Sequence, residues 1–192
     1  MSTAIGAASA LHFIDGREVP SRSGRTFASI DPATGGELAQ VARRYAETSM
    51  PRWPRHAGRS ARTSWAKLSS ASAPGRLRRL ADPIHDHADR IGAIESRDTG
   101  KPLGQATAEV HVGADFFTYF AGHAELPDGC THRRRGLLRL LQARAGVVGA
   151  ISPGPGLFPA GLLEDRAGAR GGNSVVLKMA EQMPLSTSES PG

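Results

Sequence analysis

Two short apolar runs dominate the second half of the chain. Residues 146–152 (GVVGAIS) and 173–178 (NSVVLK) are rich in β-branched positions, and glycine, proline or polar residues bound both. Runs of this length and composition predict strands. About twenty residues separate them, which is enough for a crossover helix and too many for a hairpin. The reading is therefore two buried parallel strands, with a ligand crevice at their carboxyl ends. Ser152-Pro153 and the stretch from Lys178 to Glu181 would line that crevice.

Earlier in the chain the period changes to that of a helix. Leu77, Leu80, Ile84, Ile91 and Ile94 recur at helical spacing with charges between them, and Pro83 is expected to kink this helix. Asp98-Thr99-Gly100-Lys101-Pro102 reads as a stop and a restart, with glycine ending one helix and proline opening the next. The cap position is taken to explain Lys101 without a ligand. The following helix places Val110, Ala114, Phe117 and Ala121 on its buried face. Residues 12–30 (HFIDGREVPSRSGRTFASI) read as a strand, an Asp15-Gly16 turn, a return strand, and a further loop and strand. Asp31-Pro32 and Thr34-Gly35-Gly36 are turn residues.

Composition narrows the class. At 192 residues the chain can bury a core of one domain, although aromatic residues make up only 5% of it. No apolar run reaches the length of a membrane span. The first residues lack the basic and apolar regions of a secretory signal, so the expected location is cytoplasmic. One cysteine excludes an internal disulfide framework and a multi-cysteine metal site. His85 and His87 lie about 200° apart around a helix and cannot share a face. A helical zinc pair needs a spacing of three or four residues, so these histidines, with His111, are read as solvated surface groups.

The net charge of +6 is local. Residues 43–64 hold six arginines against Glu47, and residues 129–145 hold five with no acid. Without these ten net positive charges the remaining chain carries −4. Pro51, Pro54 and Gly58 make the first segment a loop or disorder, not a helix. Neither segment carries a recognisable reading helix, which disfavours nucleic acid as a partner.

The blocks FIDGREV, FASIDPATGGELAQVA, DTGKP, GVVGAISP and GNSVVLKMAEQMPLS together resemble the NAD(P)-dependent aldehyde dehydrogenase superfamily. The resemblance implies an α/β fold: an incomplete Rossmann-like cofactor-binding domain of the aldehyde dehydrogenase type, with an N-terminal β-hairpin. Residues 1–192 would form a partial N-terminal cofactor-binding domain. Residues 129–145 would stand in place of the strands that help subunits of the family associate, and the catalytic domain would be absent. The implied chemistry is oxidation of an aldehyde to a carboxylic acid with NAD or NADP.

By the same resemblance Ile151, Ser152, Pro153, Lys178 and Glu181 belong to the cofactor site, with Lys178 and Glu181 at positions that meet the adenosine ribose. No residue is given a catalytic role. The family's nucleophilic cysteine lies far beyond the Lys-x-Ala-Glu block, so Cys130 does not match it. Where the family has its oxyanion asparagine, this chain has Gly154 and Pro155, and by itself it is expected to be inactive. No metal is implied. Aldehyde is the implied substrate, and self-association is a family property whose strands are not recognisable here. The alternative reading is a small non-enzymatic basic protein that binds an acidic partner or nucleic acid.

Residues 43–64, 129–145 and 154–171 keep the family's length, or nearly so, while losing its apolar period. Their wealth of Arg, Pro, Ala and Gly is what GC-rich coding sequence gives when translated out of frame. Compensating frame changes account for such blocks; decay into a non-catalytic relative is the other explanation.

Overall fold

The computed structural model describes residues 8–14, 17–43, 73–123, 131–133, 137–139, 147–152 and 174–188. The crossover between the two parallel strands, Pro153, Cys130 and most of the arginine-rich positions lie outside the described residues.

The N-terminal part is a layer of short strands. β2 (His12–Ile14) and β3 (Arg17–Val19) pair antiparallel, with Ile14 opposite Arg17, as a two-residue Asp-Gly connection requires. β4 (Thr26–Ile30) and β5 (Glu37–Ala42) form a second antiparallel pair. β1 (Ala8–Ala10), which the sequence pattern did not announce, adds to β5 in parallel. The loop between β4 and β5 is held by Asp31. Its carboxylate accepts the Ala33 amide at 2.9 Å and the Thr34 amide at 3.3 Å, and its carbonyl accepts the Gly35 amide at 2.8 Å. Gly35 takes φ +71°, a region that side chains disfavour.

Three helices follow: α1 (Ala73–Asp86), α2 (Ala88–Thr99) and α3 (Leu103–His123). Their shared core is the stripe Leu77, Ala81, Ile84, Ala88 and Ile91 against Val110, Ala114, Phe117 and Ala121. All four α3 positions read from the sequence are buried. Leu80 is not: it is 43% exposed, and the smaller Ala81 takes the inward position. The stripe runs 77, 81, 84, 88, 91, and Leu80 falls beside it.

Pro83 does not end α1, which continues through it to Asp86. The interruption comes at His87, where the ring Nδ1 and the backbone amide both approach the Pro83 carbonyl, at 2.8 Å and 3.1 Å. A side-chain donor that competes for a helical carbonyl loosens the turn it sits in. Gly100 closes α2 at φ +77°, its amide bonded to the Ser96 carbonyl, and a Cβ there would lie 3.0 Å from Pro32 Cγ. The glycine therefore serves both the left-handed cap and the contact with the β4–β5 loop.

Lys101, read as a cap neighbour, has a firmer structural role. Its ammonium lies 3.6 Å from the buried Glu95 carboxylate and bonds Glu109 of α3, at 10% side-chain exposure. It thus ties the end of α2 to the next helix.

A second core joins the two layers. Leu38, Ala39 and Val41 of β5 pack with Ile94 of α2 and with Leu185, the first residue of α4 (Leu185–Ser188). β6 (Thr131–Arg133) and β7 (Leu137–Arg139) form a short antiparallel ribbon, so a strand pair does occur within residues 129–145. β8 (Val147–Ile151) and β9 (Ser174–Lys178) are the parallel pair expected from the two apolar runs.

Candidate functional site

β8 and β9 run in register from Val147 beside Ser174 to Ile151 beside Lys178. The ladder continues one step further, because the Ser152 amide donates to the Lys178 carbonyl at 2.9 Å. Their carboxyl ends are thus level, which brings residues 151–152 and 178–181 together at one edge. The strands are less enclosed than expected. Ala150 and Ser152 are buried, Val148, Val176 and Leu177 are half-buried, and Ile151 is 65% exposed. Among the described residues β8 and β9 pair only with each other, so no neighbouring strand shields the rest.

Four of the five sequence-predicted site residues fall within the described residues. Ile151 ends β8 with its side chain in solvent, and Ser152 follows it as a buried hydroxyl. Lys178 ends β9, exposed, with its ammonium donating to the Met179 carbonyl at 3.1 Å. Glu181 lies in the turn beyond it, exposed, after the buried Ala180. Pro153 lies outside the described residues.

The segment that carries Glu181 is held at both ends. The β8–β9 ladder fixes it at Lys178. At the other end the Leu185 amide donates to Asp98 Oδ2 at 2.8 Å, while Ser29 Oγ donates to Asp98 Oδ1 at 2.5 Å. Burial pushes the Asp98 carboxyl above its ordinary pKa, as does the charge of Glu95, and the Ser29 and Leu185 hydrogen bonds draw it part of the way back. One carboxylate therefore joins β4, α2 and α4.

The sequence reading gave Asp98 only a helix-stop role. A signal was present: an acid in the last turn of a helix opposes the macrodipole, so it needs donors from elsewhere. Asp31 shifts the other way. The Ala33 amide bond holds its carboxyl below the usual range, helped by the Thr34 amide and by Arg97 at 3.6 Å, against partial burial.

His85 and His87 point to different surroundings, as their spacing required. His111 of α3, however, meets His85 across the α1–α3 seam. Among the described residues no group of three or more His, Cys, Asp or Glu is arranged to hold a metal ion. No described helix is long and apolar enough to cross a membrane.

The family model for the aldehyde dehydrogenase family matches residues 19–189, nearly the whole chain. The chain belongs to the aldehyde dehydrogenase family. A curated member, aldehyde dehydrogenase family 2 member B4, mitochondrial, of Arabidopsis thaliana, is 36% identical over 182 residues, which cover 90% of this chain and 32% of that protein. The fold agrees. The aldehyde dehydrogenase of Bacillus cereus (a G224D mutant in its own numbering) superposes with TM-score 0.86 at 27% identity, over 95% of this chain and 38% of that one. Betaine aldehyde dehydrogenase from Staphylococcus aureus, solved in complex with NAD+, gives TM-score 0.82 at 25% identity, over 94% of this chain and 37% of that one. This aldehyde dehydrogenase chain thus spans about a third of its curated relatives, 32% and 33% of their lengths. The β8–β9 pair and its level carboxyl ends lie within the matched residues.

Proposed function

We propose that this chain supplies the adenosine side of the NAD(P) site in an enzyme that oxidises an aldehyde to a carboxylic acid. The observation that carries the reading is the in-register β8–β9 pair, which sets Ile151 and Ser152 beside Lys178 and, one turn on, Glu181.

The residues present fit that half of a dinucleotide. An exposed carboxylate beside an ammonium at the end of a parallel strand can accept from and donate to ribose hydroxyls. The exposed apolar Ile151 offers a surface for an adenine ring. Lys178 and Glu181 would hold the ribose, and Ser152 would fix the β8 end through its backbone. When bound, the nicotinamide supplies hydride acceptance; the residues of this chain bind and orient the cofactor. No residue among the 192 is proposed as nucleophile or general base.

Binding of NAD+ and NADP+ to the untagged chain, followed by calorimetry, tests this reading. Saturable binding that weakens tenfold or more in Glu181→Ala and Lys178→Ala, with unchanged circular dichroism, supports it. Binding unaffected by either substitution overturns the assignment of those residues. An aldehyde substrate, self-association and a cytoplasmic location are carried as further proposals. Size-exclusion chromatography and cell fractionation test the last two, and the mitochondrial relative makes the location worth testing.

A further inference from the structure

His85 lies in α1 and His111 in α3, 26 positions apart, and their Nδ1 atoms stand 2.9 Å from each other. The ring centroids are 5.2 Å apart and the planes differ by 26°. The rings are thus nearly coplanar, with each Nδ1 aimed at the other. On its far side the His85 ring presents Nε2 to Asp115 Oδ1 at 3.3 Å.

These contacts fit one pair of tautomers. A carboxylate can only accept, so His85 carries its proton on Nε2 and offers a lone pair at Nδ1. His111 must then donate from its own Nδ1. A carboxylate that holds one imidazole nitrogen protonated and leaves the other free is the arrangement that orients histidine ligands in metal sites. His87, whose Nδ1 faces the Pro83 carbonyl, is not part of this pair.

We propose that His85 and His111 form a two-histidine site for a divalent late first-row transition ion, which clips α1 to α3. The ion takes the place of the proton between the two Nδ1 atoms. That proton passes through solvent to His111 Nε2, so both rings stay neutral and water completes the coordination. Bonds of about 2.0–2.1 Å at a tetrahedral angle set two nitrogens about 3.3 Å apart. The pair must therefore open by a few tenths of an ångström, and each ring must turn by about 35° so that its lone pair meets the ion off the Nδ1–Nδ1 line. Both side chains can do so, since His111 is exposed and the His85 side chain is 36% exposed. Imidazole ligation with open positions follows the usual order, with Cu²⁺ bound more tightly than Ni²⁺ or Zn²⁺.

The test is titration of the untagged, isotope-labelled chain with Cu²⁺, recorded as paramagnetic broadening of amide signals, beside thermal melts with Zn²⁺. Amides around residues 85 and 111 should broaden first. Zn²⁺ at tenfold excess over its Kd should raise the melting midpoint by about 3–5 °C. His111→Gln and His85→Ala should each abolish both effects, while His87→Ala keeps them; circular dichroism checks that each variant is folded. Broadening centred elsewhere, no broadening at millimolar ion, or retention of either effect in His111→Gln overturns the proposal.

Discussion

Asp98 accepts a hydrogen bond from the amide of Leu185, 87 positions further along the chain, at 2.8 Å. The same carboxylate accepts from Ser29, so its two oxygens serve two distant elements. Asp98→Ala removes the shared acceptor of these two bonds, and each buried bond lost costs about 1–3 kcal/mol. Chemical denaturation should show that loss, and amides of residues 179–185 should exchange faster with solvent.

The pH dependence of Asp98 follows from its raised pKa. The folded state holds this proton more tightly than the unfolded state. Its contribution to stability therefore grows as pH falls through the folded pKa toward the unfolded value of 3.8, and is flat below that. Relative to Asp98→Asn, the natural chain should gain stability on acidification through that window. Urea titrations of both chains at neutral pH and near pH 4 give the comparison. A constant difference would show that Asp98 titrates alike folded and unfolded.

Asp31 should show the opposite sign. Its lowered pKa means stability that is present above the unfolded value of 3.8 and lost as pH falls through the folded pKa. Asp31→Ala should weaken the fold at neutral pH, and the gap should close in stronger acid. Carboxyl-carbon shifts followed by NMR would resolve both aspartates in one titration, Asp31 below its ordinary value and Asp98 above.

Gly92 and Gly104 make a matched pair of substitutions. A Cβ on Gly92 would lie 2.8 Å from Thr107 Cα and 2.9 Å from its nitrogen, both backbone atoms of α3. Gly92→Ala must push α2 and α3 apart and should cost about 1–3 kcal/mol or more. Gly104→Ala meets nothing within 4 Å and should be neutral or stabilising by up to about 1 kcal/mol. Thermal or urea unfolding of the two variants separates these outcomes.

Lys101→Met removes the cation that faces Glu95, whose side chain is 4% exposed. An uncompensated buried charge of this kind costs about 3–5 kcal/mol. The double variant Lys101→Met with Glu95→Gln should recover much of the loss, measured as a double-mutant cycle.

Much of the framework was legible because it rests on periodicity. The α3 stripe from Val110 to Ala121, the Asp-Gly hairpin and the parallel pair each follow from spacing that one element sets for itself. Failures came where two elements decide together. Leu80 fits a helical count as well as Ala81 does, and only the partner helix determines which faces inward. Pro83 marks a weak point, yet the break falls at His87, whose ring reaches back to the same carbonyl. Asp98 and the His85–His111 pair are contacts between elements far apart in sequence, and a single-element pattern carries no record of them. At the candidate site the strand ends were legible, but the tether at Leu185 that holds the Glu181 segment was not.

The core around Leu38, Ala39 and Val41 is closed by Leu185. The first layer of the molecule is thus finished by nearly the last described residue. During synthesis the three helices can pack as soon as residue 123 emerges, because their core is self-contained. The β5 face, met earlier by Ile94 of α2, waits for its closing contact until Leu185 leaves the ribosome. A chain interrupted anywhere between those two points would carry a formed helical half and an open sheet, and would be a natural client for chaperones.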